Sequence, residues 1–302
     1  MEQQTEYRTG ITPRAGLFIL IALMGAGAVV GGMLSLLVWK WMTGQDAIQM
    51  QLSMSNPTFV HEVRTVQTLV SVFMFLLPAW IAASLVSKKP FAFLGFAQRS
   101  SPRSYGLGMA LMLVTILLSG SLATLSELIP ISSSMKIYFK GLEQAYMRQV
   151  EVMSQMKNLG DFFVSLLVMA AFPALVEELF FRAGFQNMMY RSTNHLWVSV
   201  ILTAILFSAI HFSFYGFLSR TALGIVLGLL FAYSKNIWMP IIAHFLNNAI
   251  AVGQVYYLRS RGDSIDSMME DRYPLWWGLL ALVVLFVGFR YYRRTLNSSH
   301  GT

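Results

Sequence analysis

The feature that most constrains this chain is a series of apolar runs, several of them long enough to cross a bilayer. The first extends from about Ala15 to Val38 and is longer than the core of a signal peptide. A helix needs about 20 mainly apolar residues to span the hydrocarbon core of a membrane. We therefore predict an all-α, polytopic membrane protein whose first apolar run is a retained helix.

Eight spans are predicted, arranged around a polar intramembrane cavity. Their approximate ranges are 15–39, 66–86, 105–126, 164–186, 196–213, 218–234, 236–256 and 275–290. Hydrophobic residues make up 56% of the 302 residues and charged residues only 12%, a balance unusual for a soluble domain. Residues 1–302 are thus predicted to form a single membrane domain.

Charge and cysteine content narrow the range of possible functions. The net charge is +8, but the basic residues flank apolar segments and do not form one patch, which favours lipid contacts over a nucleic-acid partner. Their excess on the side that holds the N-terminus and the C-terminal tail predicts that both termini are cytoplasmic. The compact length suggests a bacterial inner-membrane protein. The absence of cysteine excludes disulfides, Cys-ligated metals and thiol catalysis.

The longest segment between predicted spans, residues 130–160, has the pattern of an amphipathic surface helix. Apolar Leu142, Tyr146 and Val150 recur at helical spacing, and polar residues such as Glu143 and Arg148 lie between them. We favour a packing lid over a gate for substrate.

Two carboxylates and an arginine interrupt the fourth apolar run. Glu178 and Arg182 are four residues apart and share a helix face, whereas Glu177 is rotated by about 100° and cannot use the same partner easily. A salt bridge that holds helices in register would need only one of the two glutamates. Ionisable residues inside a membrane are costly and usually functional, so the second glutamate is expected to take and return a proton.

Two further spans contribute polar side chains. His211 follows Phe207 by one turn in the fifth span, and His244 and Asn248 lie one turn apart in the seventh. A glutamate with a nearby histidine can activate a water, and a second histidine with an amide NH2 can stabilise an oxyanion. This set suffices for a peptidase without a covalent nucleophile. There is no H-E-x-x-H motif, no Asp in a predicted span and no G-x-S-x-G elbow.

A metal site is the alternative use of the same residues. Two histidines and two glutamates could bind zinc, but Asn248 is a poor zinc ligand and is better explained as an oxyanion donor. We therefore expect no cofactor and favour metal-independent chemistry.

The motifs E-E-x-x-x-R (Glu177, Glu178, Arg182), F-x-x-x-H (Phe207, His211) and H-x-x-x-N (His244, Asn248) occur in this order on successive spans. They resemble those of the CAAX-prenyl-protease and bacteriocin-processing (CPBP) family, the Abi-type glutamic intramembrane proteases. The resemblance covers residues 161–254, taken as the catalytic core. Many relatives have Gly directly after the motif arginine, whereas Ala183 stands here.

The resemblance implies a conical bundle of eight helices around a cavity. It also implies that Glu177 is the water-activating base assisted by His211, that His244 and Asn248 form the oxyanion site, and that Glu178 and Arg182 orient the base. The substrate would be a peptide or a membrane protein. Prenylated proteins are substrates of the eukaryotic branch and are not expected for a bacterial chain.

Two other functions fit the same residues. A non-catalytic scaffold or bacteriocin-immunity-type protein would bind partners without cutting them, and a transporter would use a glutamate as a proton site, although no internal repeat is evident. The predicted boundaries also raise a difficulty, because straight helices would place Glu177 near the inner side and His211 near the outer side. One active site requires a later entry of the fourth helix, or a bend at Pro173.

Overall fold

The computed structural model describes residues 10–263, 265 and 273–299, and within them the chain is helical with no strand. The α-helices are α1 (Pro13–Thr43), α2 (Ala47–Ser53), α3 (Val60–Ser71), α4 (Leu77–Val86), α5 (Pro90–Phe93), α6 (Pro102–Leu128), α7 (Ser133–Met153), α8 (Leu159–Ser165), α9 (Phe172–Glu178), α10 (Asn187–Thr193), α11 (Leu196–Ala209), α12 (Phe217–Ser234), α13 (Trp238–Arg261) and α14 (Leu275–Ser299). A 3₁₀ turn (Pro57–Phe59) precedes α3. Three π-helical segments, π1 (Val72–Leu76), π2 (Leu166–Ala171) and π3 (Leu179–Gln186), continue directly into α-helices.

Six helices in the described residues are long and apolar enough to cross a membrane, which confirms an all-α, polytopic membrane protein. They are Pro13–Thr43, Pro57–Val86, Pro102–Leu128, Leu159–Thr193, Phe217–Ser234 and Leu275–Leu296. The predicted fifth span is the 14-residue helix α11, about 21 Å long at 1.5 Å per residue. The predicted seventh span is α13, whose middle carries the polar residues of the H-x-x-x-N motif.

The fourth span, Leu159–Thr193, lies at the centre of the bundle. Its segments contact α1, α4, α11, α12 and α13, while α14 packs along α6 at one side of the molecule. Phe180, Phe181 and Met188 of this span are fully buried. The outermost helices instead expose large apolar side chains, among them Phe18 and Leu37 on α1. Such faces suit a lipid environment, because apolar side chains there need no protein neighbours.

Gly224 of α12 allows α11 to approach closely, and Gly228 does the same for the fourth span. A Cβ on Gly224 would lie 2.9 Å from Ala204 Cβ, and one on Gly228 would lie 2.7 Å from Gln186 Oε1. The backbone carbonyl oxygens of the two glycines accept hydrogen bonds from Arg182 Nη2 (3.3 Å) and Gln186 Nε2 (2.9 Å). Glycine at these positions therefore lets the α12 backbone come close enough to hydrogen-bond with Arg182 and Gln186 of the fourth span.

Helix α7 confirms that the segment 130–160 contains a helix, but its inward face differs from the prediction. Glu143, expected on the polar face, is buried, and its Oε2 accepts a hydrogen bond from Ser213 Oγ (2.7 Å). Arg148 is exposed, as expected. Glu143 faces inward because it meets a hydroxyl on a loop 70 residues away, which helical periodicity does not reveal.

Arg64 of α3 holds the C-terminal end of α7 to the bundle. Its guanidinium donates to Met153 O (2.9 and 2.6 Å), Gln155 O (3.1 Å) and Ser165 Oγ (2.7 Å), and the residue is only 4% exposed. A buried cation is tolerated when its donors are satisfied. The residue is thus a structural anchor between α3, α7 and α8.

The predicted N-terminal cytoplasmic segment falls partly on residues 1–9, which lie outside the described residues. The positions of both termini relative to the membrane stay predictions.

Candidate active site

Two π-helical segments flank the pair of glutamates. Pro173 has no N–H to donate to the carbonyl four residues earlier, and π2 ends immediately before Phe172. Glu177 and Glu178 end α9, and π3 begins at the next residue. Single π-helical turns inside helices recur at functional sites because they change which side chains share a face. The local sequence thus places both carboxylates between two departures from α-helical geometry.

The fourth helix does not begin later than predicted: it extends from Leu159 to Thr193, beyond both predicted ends, and Glu177 lies near its middle. The fifth helix begins at Leu196 and ends after only 14 residues. His211 therefore follows a short helix, and the Phe207 ring lies between it and His244. The predicted edges were wrong because the apolar pattern does not reveal how far a helix continues.

Glu178 and Arg182 form a fully buried ion pair. Arg182 Nη1 donates to Glu178 Oε1 at 2.7 Å, and both side chains are 0% exposed. The guanidinium carbon also lies 4.7 Å from the centre of the Phe207 ring, on its face. The i, i+4 pairing predicted from the sequence is present, and it sits at the centre of the core.

His244 on α13 joins the two glutamates. Its Nδ1 lies 2.8 Å from Glu178 Oε1, and its Nε2 lies 4.0 Å from Glu177 Oε2. Glu178 Oε1 already accepts from Arg182, so it acts as an acceptor and His244 Nδ1 is the donor. The expectation was that Glu178 and Arg182 orient the base. Here Glu178 contacts His244, which in turn lies 4.0 Å from Glu177, while Arg182 contacts Glu178.

Glu177 and Glu178 occupy different environments although they are adjacent in sequence. The Glu177 side chain is 15% exposed, whereas that of Glu178 is 0% exposed. Within the described part of the chain, the ion-pair partner of Glu177 is His244, whose Nε2 lies 4.0 Å from Glu177 Oε2. Glu177 is thus the carboxylate that a water or a substrate can reach.

His211 lies just beyond α11, not within a transmembrane helix as predicted. Its Nδ1 is 2.8 Å from the carbonyl oxygen of Phe207, one turn earlier. A carbonyl can only accept, so Nδ1 carries the proton and Nε2 of the neutral ring is an acceptor. The side chain thereby satisfies one of the free carbonyls at the helix end, and the next residue, Phe212, has a φ of 50°. His211 lies one turn after Phe207, as predicted, but it does so at the end of a helix and not inside a membrane-spanning helix.

Phe207 separates the two histidines. Its ring packs edge-on against His211 (centroids 5.1 Å apart) and against His244 (5.8 Å). Together with the contact to Arg182, this buried ring orders the imidazoles around the ion pair. The F-x-x-x-H motif therefore contributes a spacer as well as a histidine.

Asn248 lies one turn beyond His244 and is partly buried. Its Oδ1 accepts from Asn247 Nδ2 at 3.1 Å, which directs the Asn248 NH2 group away from that contact. Among the described hydrogen bonds, none joins Asn248 to the glutamates or to either histidine. Asn247 is thus the described hydrogen-bond partner of the Asn248 side chain.

Arg220 near the start of α12 is a residue of this neighbourhood that the sequence analysis did not single out. It lies in the first turn of α12, where its backbone N–H donates to the Gly216 carbonyl oxygen (2.9 Å), nine residues after His211. Its guanidinium lies over the Tyr146 ring of α7, 5.0 Å from the centroid. An arginine near the end of an apolar helix resembles an interfacial anchor, so no signal in the sequence distinguished it.

The side chains of the candidate site are not grouped in the way that metal binding requires. In residues 10–263, 265 and 273–299, no three His, Asp or Glu side chains converge in a way that could hold a metal ion. The site residues instead form pairs, through Glu178–His244 and Glu178–Arg182.

Comparison with known proteins supports the motif-based resemblance. Residues 159–250 match the family model described as "Type II CAAX prenyl endopeptidase Rce1-like". The chain is 29% identical over 114 residues to "Uncharacterized protein YpbD" of Bacillus subtilis (strain 168), covering 36% of this chain and 53% of that protein. It is 30% identical over 87 residues to "Putative membrane peptidase YdiL" of the same organism, covering 29% and 35%.

The chain thus spans about half of the first relative and about a third of the second. No solved structure matches it at comparable significance. The matched segment contains every residue of the three motifs, from Glu177 to Asn248. The resemblance inferred from those motifs is confirmed: residues 159–250 of this membrane protein are similar to the Rce1-like family.

Proposed function

We propose that this chain is an intramembrane endopeptidase that hydrolyses peptide bonds with a glutamate-activated water and without a covalent enzyme intermediate. The observation that carries the proposal is the unequal placement of two adjacent glutamates. Glu178 is sealed in contacts with Arg182 and His244, while Glu177 is accessible and 4.0 Å from His244. A purely structural ion pair would not need the second carboxylate at that place.

In the proposed reaction, Glu177 takes a proton from a water while the water oxygen forms a bond to the substrate carbonyl carbon. The carbonyl oxygen becomes an oxyanion. When the C–N bond breaks, the oxyanion returns to a carbonyl, and Glu177 gives its proton to the departing nitrogen. His211 supports this step because its Nε2 can accept a hydrogen bond from the same water.

His244 and Asn248 are the proposed donors to the oxyanion. Asn248 has its NH2 group available, since its oxygen is used by Asn247. His244 already donates through Nδ1, so its Nε2 can donate only when both ring nitrogens carry protons. Glu178 and Arg182 act as positioning residues, because Glu178 holds His244 and Arg182 holds Glu178. No metal takes part in the proposed chemistry.

The first test is cleavage of a broad library of peptides and membrane proteins by the purified full chain in nanodiscs. Wild type is compared with Glu177→Gln and His211→Ala, each with and without chelator. We expect cleavage by wild type, loss in both variants, and no effect of chelator. Loss of wild-type cleavage on chelation would replace the glutamate mechanism by a metal-dependent one.

The competing hypothesis is a non-catalytic scaffold or immunity-type protein. It predicts that Glu177→Gln restores the phenotype of a deletion strain as well as wild type does. Failure of the Gln variant, with normal amounts of protein in the membrane, would support the enzyme. We further propose a bacterial inner-membrane location with both termini cytoplasmic. Fluorescent fusions to each end test the orientation, and a fusion exported to the outer side would contradict it.

A further inference from the structure

Helix α7 presents one of its faces to the segment that follows His211. Phe139, Glu143 and Tyr146 recur at spacings of four and three residues, so they share this face. The Tyr146 ring lies against the Arg220 guanidinium in the first turn of α12, 5.0 Å from the ring centroid. The proposed reaction uses His211 but no residue of α7.

The other two residues of this face contact the loop between α11 and α12, residues 210–216. Phe139 stacks on Phe214, with the ring centroids 4.3 Å apart and 10° between the planes. Glu143 is only 8% exposed, and its Oε2 accepts a hydrogen bond from Ser213 Oγ at 2.7 Å. Among the described hydrogen bonds, this one joins the loop to an element other than the two helices that it connects.

The loop is short and is closed by its own hydrogen bonds. Ser208 Oγ donates to the Phe217 carbonyl oxygen (2.7 Å) across its base. Ser213 Oγ accepts from the Gly216 N–H (3.0 Å), so this hydroxyl accepts within the loop and donates to α7. Ser213 follows His211 by two residues. Because the loop is closed, whatever holds Ser213 also restrains the backbone of His211.

The residue between them, Phe212, has a strained backbone. Its φ of 50° lies in the left-handed region, which is usually occupied by glycine where a helix ends. A bulky residue persists there only when the surrounding structure holds it. The Phe212 side chain is 75% exposed, so burial of its ring does not offset the strain. The contacts to α7 begin at the next residue, Ser213, where they can supply the restraint.

We propose that Glu143 of α7 is a positioning residue for the peptidase reaction. It holds Ser213, and through the closed loop it keeps His211 where Nε2 can accept from the attacking water. The inference rests on the proposed function, because it takes His211 to assist Glu177. Helix α7 thus does more than cover the bundle, since the site is complete only while this helix is docked.

The test observes His211 directly, on the full chain in nanodiscs. The chain has five histidines, so labelling with ¹⁵N-histidine gives a simple solid-state NMR spectrum, in which His211→Gln identifies the His211 signals. Ser213→Ala and Glu143→Leu remove the contact, whereas Glu143→Gln retains an oxygen that can accept from the hydroxyl. Glu151→Leu, which removes an exposed carboxylate from the same helix, is the matched control. Cleavage is measured on the same samples.

In the wild-type protein, His211 should give the signals of one neutral ring with its proton on Nδ1, because the Phe207 carbonyl accepts from that nitrogen. We expect Ser213→Ala and Glu143→Leu to shift or split these signals. Both should also lower kcat by roughly 10- to 100-fold while KM changes by less than about threefold. Glu143→Gln should keep the wild-type signals and most of the rate, and Glu151→Leu should change neither.

Unchanged His211 signals in folded Ser213→Ala and Glu143→Leu proteins would overturn the inference. So would a Glu143→Gln protein that behaves like Glu143→Leu, because the acceptor oxygen would then be irrelevant.

The two proposals fail separately. If the His211 signals depend on the contact with α7 but the wild-type protein cleaves nothing, the peptidase is contradicted and the link from α7 to His211 stands. Full cleavage by both Ser213→Ala and Glu143→Leu would contradict only the positioning role.

Discussion

Two buried arginines, Arg64 and Arg182, differ in how completely their polar groups and those of their partners are satisfied. Arg64 donates four hydrogen bonds to two carbonyls and a hydroxyl, and no carboxylate lies in that group. Arg182 is paired with Glu178, its Nε has no hydrogen-bond partner among the described residues, and the same is true of Glu178 Oε2. The first arrangement satisfies its donors, whereas the second retains spare donors and acceptors.

The spare groups matter because unsatisfied polar atoms in a core reduce stability. A bundle selected only for stability would replace the buried pair by apolar side chains, which is often neutral or stabilising. The fourth span keeps the pair and adds Glu177 beside it. The comparison thus indicates that the Arg64 cluster stabilises the fold, and it supports the proposal that the Glu178 cluster positions reacting groups.

The largest expected effect comes from Glu178→Gln. It leaves the Arg182 charge without its carboxylate and weakens the contact to His244, so the free energy of unfolding should fall by about 3–5 kcal/mol. Cleavage should be lost as well. Adding Arg182→Met should recover part of the stability but none of the cleavage. Thermal unfolding followed by tryptophan fluorescence checks this, since the chain has seven Trp. Recovery of both properties would contradict a positioning role.

Arg64→Met tests the other side of the comparison. It removes the donors to Met153 O, Gln155 O and Ser165 Oγ, so the free energy of unfolding should fall by about 2–3 kcal/mol. At a temperature where the variant is folded, cleavage should stay within about threefold of wild type. Arg148→Met is the matched control and should change neither. A selective loss of cleavage in a fully folded Arg64→Met protein would break the distinction.

A smaller effect is expected at the contact between α7 and the loop after α11. Ser213→Ala removes the hydrogen bond to Glu143 and should lower the free energy of unfolding by about 1–2 kcal/mol, because a buried carboxylate oxygen loses its partner. Adding Glu143→Leu should reverse much of the loss. Unchanged stability in the single variant would show that this contact does not hold α7 in place.

Much of the architecture could be predicted because lipid imposes a simple rule on sequence. Helices that cross a membrane must be long and apolar, so six of the predicted spans coincide with qualifying helices. The Glu178–Arg182 pair was also predictable, because i, i+4 neighbours meet on any helix. The candidate site was predicted from polar residues in segments where they are costly.

What could not be predicted depends on contacts between distant parts of the chain. His244 meets Glu178 across 66 residues, and Ser213 meets Glu143 across 70. The π-helical segments alter the face on which Glu177 projects, which a regular helical wheel does not show.

The central claim is that Glu177 is needed for chemistry and not for folding. The most direct test measures cleavage rate and thermal unfolding on the same samples of wild type, Glu177→Gln and Arg64→Met. We predict that Glu177→Gln loses cleavage by roughly 10²- to 10⁴-fold, the range for a general base, and unfolds within about 2 °C of wild type. Arg64→Met should show the opposite pattern. Retained cleavage in the Glu177→Gln protein would contradict the account.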